Sequence, residues 1–266
     1  MPWSKALVWV TRLLRTRVPK VSILRPEREF CGWIALLVFV SALSCLAQSS
    51  APPTTPMPPA PPPTPRFVIV LDAAHGGDDT GAHLDSGQLE KSANLILSIR
   101  LRSLLAARGF QVVTTREADA SVDLDHRAEI ANHARAIACL SLHASESGSG
   151  VHLFASSLTP AAPPRFTPWK TAQAAWETRS LALSGAVNSA LTQAGFSVTL
   201  GRIPLAGIES MTCPAIAIEI GPLRDADGNI TTESDNPDYQ AKVAGALAAA
   251  LLEWRSDPNR TEARQP

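Results

Sequence analysis

The stretch at residues 67–71, FVIVL, is an apolar run without a break. That is the pattern of a strand covered on both faces, as in a parallel sheet between two helical layers. Outward from it, strands and helices alternate. Residues 90–108 carry Leu97, Leu101, Leu104 and Leu105 along one side and end at Gly109, the apolar spacing and the stop of an amphipathic helix. Residues 111–115 predict a second strand. Residues 123–134 predict a second helix, with Ser121 placed to cap it. Third and fourth strands are expected at 137–142 and 150–155. A proline-rich loop over 156–168 leads into a long helix over 171–194 that stops at Gly195. Short extended pieces are expected at 197–200 and 207–211, a buried strand at 214–220 and a last helix over 237–254. The β-α-β-α-β order predicts an α/β fold, a mostly parallel twisted sheet flanked by helices on both faces, in a single catalytic domain over 66–256.

The chain before that domain has a different character. Residues 1–30 are basic, with Lys5, Arg12, Arg15, Arg17, Lys20, Arg25 and Arg28 ahead of an apolar run at 31–47. The run is near the short end of what crosses a bilayer. Its basic flank predicts a cytoplasmic N-terminus and an exported remainder. The Cys45-Leu46-Ala47 sequence also reads as a small-residue cleavage site, so a signal peptide and an uncleaved membrane anchor both fit. Residues 48–65 (QSSAPPTTPMPPAPPPTP) are a proline-rich linker, a semi-rigid spacer of polyproline II type. A polar tail follows at 257–266. The expected location is therefore periplasmic or otherwise extracytoplasmic, at the inner membrane if the anchor is retained.

Composition excludes some functions. Lysine plus arginine and aspartate plus glutamate number 24 each, and aromatics make up 5%. Neither a basic stripe nor stacking platforms for nucleic acid follow from that. None of the four cysteines forms a CxxC pair, which argues against a structural zinc site or thioredoxin-like chemistry. Cys139 and Cys213 fall in predicted core strands, where each would serve as a small hydrophobe or pair with the other if geometry permits.

Three polar residues stand out by position. His75 follows the first strand in AAHGG, His143 follows the third in LSLHAS, and Glu219 lies near the end of the last buried strand in AIAIEIG. Glu90 opens the first helix, at the far end of the loop that leaves His75. In open α/β sheets, ligands gather at the carboxyl ends of strands, and separate strands deliver side chains to one point. Two imidazoles and a carboxylate suit zinc, leaving a fourth position for a water of lowered pKa. A further carboxylate must then move that water's proton, and Glu219 suits that task. Each residue alone has a plainer reading. A histidine after a strand is commonly structural, Glu90 fits a helix N-terminus, and Glu219 could belong to a buried ion pair. These are not close-spaced ligands of the HExxH kind.

The ordered motifs add a resemblance. From about Phe67 to Leu251 the chain resembles the zinc-dependent N-acetylmuramoyl-L-alanine amidases of the Amidase_3 family. DAAHGG stands where that family has D-P-G-H-G-G, GQLEK where it has G-x-x-E-K, RAEIAN where it has R-x-x-x-A-N, SLHAS where it has S-I-H-A-N, and IEIGP where it has V-E-x-G-F. The resemblance implies Zn2+ held by His75, Glu90 and His143, with Glu219 catalytic. The implied reaction is hydrolysis of the amide between N-acetylmuramic acid and L-alanine in peptidoglycan, for cell-wall remodelling or daughter-cell separation. The expected partners are peptidoglycan, the membrane through the N-terminal segment, and an activator protein of unknown identity. Ala73, Ala74, Ser145 and Pro222 depart from the pattern and bear on the shape of the cleft. Two other readings stay open: a zinc peptidase cutting within the stem peptide, and a non-catalytic peptidoglycan-binding module. His83 and His152 lie near the active edge, whereas Arg127 and Asn132 are expected to brace the fold.

Overall fold

The computed structural model describes residues 67–161 and 168–256. The basic segment, the apolar run at 31–47, the linker and the polar tail lie outside the described residues. No described helix is long and apolar enough to cross a membrane.

The strands are β1 (Phe67–Ala73), β2 (Phe110–Thr114), β3 (Ala138–Ala144), β4 (Val151–Ser156), β5 (Val198–Ile203) and β6 (Ala215–Ile220). They form one sheet in the order β2-β1-β3-β6-β4-β5. Every neighbouring pair is parallel except β4 with β6, which is antiparallel. A small hairpin, β7 (Leu223–Arg224) with β8 (Ile230–Thr232), follows β6.

Helices cover both faces. On one, α1 (Glu90–Ala106), α3 (Glu177–Gln193) and α5 (Pro237–Ser256) pack Leu97, Leu101, Leu183, Val187, Leu247 and Leu251 onto Ile69, Leu71, Leu140, Leu142 and Ile218. These side chains are essentially fully buried, and each buried leucine contributes roughly 1.5–3 kcal/mol. On the other face, α2 (Leu124–Ala134) and the short α4 (Ala206–Glu209) cover Val70, Cys139, Ala215 and Ala217. The period of two along β3 sends Leu140 and Leu142 to the first face and Cys139, Ser141 and His143 to the second.

The chain reverses its winding between β1 and β3. From β1 it crosses through α1 to β2 on one side, then returns through α2 to β3 on the other. The crevice beyond the carboxyl ends of these two strands is the usual ligand position of such a sheet.

Four local expectations are corrected. The cap of α2 is Asp123, whose side chain accepts from the His126 N–H at 2.8 Å, and not Ser121. The long helix expected over 171–194 is two pieces, a 3-10 segment at Trp169–Ala175 and then α3, with non-helical angles at Thr171. Gln173 donates from its side chain to the Cys213 carbonyl at 2.9 Å, so a tertiary contact holds the break. The extended piece expected at 207–211 is largely the helical turn α4, where Glu209 accepts from the Leu205 N–H at 3.2 Å. The β7–β8 hairpin lies in a stretch for which the sequence suggested no element. Cys139 and Cys213 are joined as a disulfide with a Cα separation of 6.4 Å. It ties the strand that bears His143 to the segment entering the strand that bears Glu219.

Candidate metal centre

His75 leaves β1 in the left-handed region, at φ 63°, followed by Gly76 and Gly77, both also at positive φ. A non-glycine residue held there is strained and needs surrounding support. Two buried arginines supply it. Arg127 donates to the Asp72 carboxylate (2.7 Å) and to the carbonyls of Ala73 (2.8 Å) and His75 (2.7 Å). Arg116 donates to the carbonyls of Ala73 (2.8 Å), Ala74 (3.0 Å) and Lys91 (2.6 Å). The Ala73–Ala74 turn is thus held through its backbone oxygens. The expectation that Arg127 braces the fold agrees with this, and the brace runs straight to the histidine loop.

Glu90 is the first residue of α1, where the helix N-terminus favours a carboxylate. It is buried, and the Ala82 N–H donates to its Oε2 at 2.9 Å. Its Oε1 lies 3.2 Å from His75 Nε2 and 2.9 Å from His143 Nδ1. One donor atom from each of these three residues falls within 4.8 Å of the others, and no other such group of three occurs among the described residues. Burial alone would push the Glu90 carboxyl up. The hydrogen bonds from His143, His75 and Ala82 outweigh it and hold the group well below the usual carboxylate range. His75 is raised above its ordinary value, chiefly by Glu90, against burial and with help from Asp79.

Two further contacts set which ring nitrogens are free. Asp79 Oδ2 lies 2.8 Å from His75 Nδ1, so when the proton shared with Glu90 leaves Nε2, the Nδ1 proton stays in place and the Nε2 lone pair is free for a metal. Ser141 donates to Asp72 Oδ2 at 2.8 Å and stands 3.5 Å from His143 Nε2. Its hydrogen is committed to Asp72, so its lone pair can hold the His143 Nε2–H while Nδ1, which now shares a proton with Glu90, is the nitrogen that a metal would take. Carboxylate or hydroxyl partners of this kind orient imidazole ligands. Two imidazole nitrogens whose protons a metal would displace and one ionised carboxylate oxygen, converging on a point, fit zinc. Gly81 closes the site from outside. At φ +64°, a Cβ there would come within 2.6 Å of Glu90 Oε2 and 2.7 Å of His75 Cδ2.

Glu219 stands outside that group but beside it. It is in register with His143 across β3 and β6 and partly buried. Hence the four sequence-singled residues come to one edge of the sheet, three converging and one adjacent. A cleft of about 500 Å³ opens over Asp72, His75, Ser141 and His143, and its far wall is Leu124 with α4 and the segment before it. His83 is a loop residue bridged to Leu89. Sequence reading missed Asp79, Gly81 and the Asp72–Ser141 pair. For Asp79 the only signal was its spacing of four from His75, which has no meaning until His75 is known to turn left-handed.

Comparison with known proteins points the same way. Residues 69–253 match the family model Amidase_3, described as N-acetylmuramoyl-L-alanine amidase. The chain is 37% identical over 94 residues to N-acetylmuramoyl-L-alanine amidase AmiA of Escherichia coli K12, covering 34% of this chain and 32% of that protein. It is 35% identical over 106 residues to AmiC of Neisseria meningitidis, covering 38% of this chain and 26% of the relative. It thus matches about a third or less of the length of these relatives. The fold is similar to that of the amidase AmiC2 of Nostoc punctiforme, with a TM-score of 0.55 and 23% identity over 72% of this chain and 98% of that one. The family model spans most of the chain and nearly all of the sheet and its helices. The chain belongs to the N-acetylmuramoyl-L-alanine amidase family.

Proposed function

We propose that this chain is a zinc-dependent N-acetylmuramoyl-L-alanine amidase that acts on peptidoglycan outside the cytoplasm, in cell-wall remodelling or daughter-cell separation. The observation that carries the reading is the convergence of His75, Glu90 and His143 with a further carboxylate, Glu219, in register beside His143. Zinc held by these three residues would supply Lewis acidity toward the scissile carbonyl and its attacking water. Asp79 and Ser141 keep the ring protons of His75 and His143 on the outer nitrogens. Glu219 takes a proton from the water as its oxygen adds to the lactyl carbonyl carbon. It then returns a proton to the L-alanine nitrogen as the carbon–nitrogen bond breaks. A carboxylic acid remains on the muramic acid and a free amine on the peptide.

Residues 66–256 form the catalytic domain in this reading. Residues 31–47 export the chain as a signal peptide or hold it at the membrane, and 48–65 are the spacer. The Cys139–Cys213 bond supports an oxidising compartment.

Digestion of purified muropeptides by the full-length protein, with and without chelator, tests the proposal. Mass spectrometry should find intact stem peptides beginning with L-alanine, lost on chelation and regained with zinc. Glu219→Gln should keep the metal and lose release. Products cut within the stem would replace the amidase reading with a peptidase. No release by the zinc-loaded protein would leave a binding module.

A further inference from the structure

In the sequence GSGVHLF at residues 148–154, His152 is the second residue of β4, directly after a turn carrying Gly148 and Gly150. Because β6 lies between β3 and β4, Glu219 is opposed on both sides. His143 faces it across the parallel pair, and His152 across the antiparallel one. Directly opposed residues share a face, with Cβ atoms about 4.5–5.5 Å apart in the antiparallel case. His143, Glu219 and His152 therefore rise side by side from three neighbouring strands. Neither His152 nor any other described residue has a hydrogen bond or ion pair to the Glu219 carboxylate.

The imidazole of His152 is fixed. Its ring stacks against Phe154, with centroids 6.4 Å apart and planes 15° from parallel. Its Nε2 edge fits against two glycines: a Cβ on Gly148 would come within 2.5 Å of Nε2, and one on Gly221 within 3.4 Å. Nε2 is buried with no hydrogen-bond partner. A proton there would be a buried donor without an acceptor, and orphaned donors of that kind are rarer than unfilled acceptors. The proton accordingly resides on Nδ1, the nitrogen nearer the strand.

We propose that His152 is a positioning residue for Glu219: the carboxylate, on turning toward β4, meets the Nδ1–H and is held beside the metal centre on the side away from His143. The proposal rests on the reading of Glu219 as the base. A flexible carboxylate with no partner would spend much of its time turned away from the attacking water, and a fixed donor removes that freedom.

The test uses the full-length zinc-loaded protein and a soluble muropeptide. His152→Leu should lower kcat about 10- to 100-fold, the usual effect of removing a partner one step out from a metal site. KM and zinc content should stay unchanged. His152→Asn places its amide nitrogen where the imidazole has Nδ1 and should recover most of the lost kcat. His152→Gln carries its amide one carbon further out and should recover little. Wild-type kcat in His152→Leu overturns the proposal, and so does an Asn variant no better than Leu or Gln. If His152→Leu fails to fold, the Asn-to-Gln ratio decides. Glu219→Gln in parallel separates the two readings. Full activity there removes the base assignment and this proposal with it, whereas an inactive Glu219→Gln beside a fully active His152→Leu removes this proposal alone.

Discussion

Asp79 grips His75 from behind: its Oδ2 lies 2.8 Å from Nδ1, while Nε2 on the far side of the ring stands 3.2 Å from Glu90 Oε1. The contact fixes the ring rotation and the tautomer together. Asp79→Ala is expected to weaken zinc binding by about 10- to 100-fold with little change in folding stability, because Asp79 is exposed. Competition against a chromophoric chelator measures it, and unchanged affinity would assign the orientation of His75 to Glu90 and the backbone clamps alone.

Gly81 offers a steric probe of the same centre. A methyl group there meets Glu90 Oε2 and His75 Cδ2 at well under contact distance, and the backbone sits at φ +64°. Gly81→Ala should lower zinc affinity at least as strongly as Asp79→Ala. It should also cost about 1 kcal/mol of stability from the left-handed backbone, read as a lower denaturation midpoint of the metal-free protein.

Protons and metal compete for His75. Its pKa is raised in the metal-free protein, so its contribution to folding is complete below the ordinary histidine value and fades as pH climbs through the folded-state value. Zinc needs the neutral ring. Apparent zinc affinity should therefore fall by about tenfold per pH unit below that raised value, with net proton release on binding that calorimetry in buffers of different ionisation enthalpy will detect. Affinity independent of pH between 6 and 8 would exclude His75 as a ligand.

The disulfide spans a sequence separation of 74 residues. In the chain-entropy model a loop of that length stabilises by about 4 kcal/mol. Replacing both cysteines with serine should lower stability by an amount of that order in urea titration, and reducing agent should bring the wild type to the same midpoint. The variant is expected to bind zinc when folded, since no ligand contacts either sulfur.

Glu177 is wholly buried at the start of α3. Arg202 Nη2 is 3.1 Å from its Oε1, yet neither oxygen receives an aligned hydrogen bond. Burial pushes its carboxyl above the ordinary range, against the pull of Arg202. A carboxyl raised on folding favours the folded state when protonated, so its contribution declines as pH rises past the ordinary glutamate value. Glu177→Gln should then raise the melting temperature at pH 7 by about 2–4 °C, the shift that 1 kcal/mol gives a domain of this size, with the gain vanishing near pH 4. A loss at pH 7 would mean that the Arg202 pair outweighs the burial.

The sequence carried those parts of the fold that depend on local periodicity. FVIVL, the leucine stripe of α1 and AIAIEI each announce their element because a strand or helix buries a fixed pattern of positions. What stayed hidden depends on distant partners. The apolar pattern over 171–194 is continuous, and only the bond from Gln173 to the Cys213 carbonyl breaks the helix. The cap of α2 went to Asp123 over Ser121 because the helix begins at Leu124, one residue later than its spacing suggested. Insertion of β6 between β3 and β4, parallel to the first and antiparallel to the second, has no local signal either, and it is what gives Glu219 two histidine neighbours. Within the centre, ligand types could be read from strand ends and ordered motifs. The outer contacts through Asp79 and Ser141 could not, since they arise from one left-handed turn and one pleat.

That insertion also sets an order of assembly. A nascent chain that has emerged as far as His143 already contains all three candidate ligands, on β1, α1 and β3. The slot between β3 and β4 stays open until β6 is made, and with it the carboxylate assigned to move the proton. An unfinished or C-terminally truncated molecule thus carries the three candidate ligands without the carboxylate proposed to move the proton. In the proposed reading, the carboxylate that completes the site joins the six-stranded sheet only with the last of its strands to be made, β6.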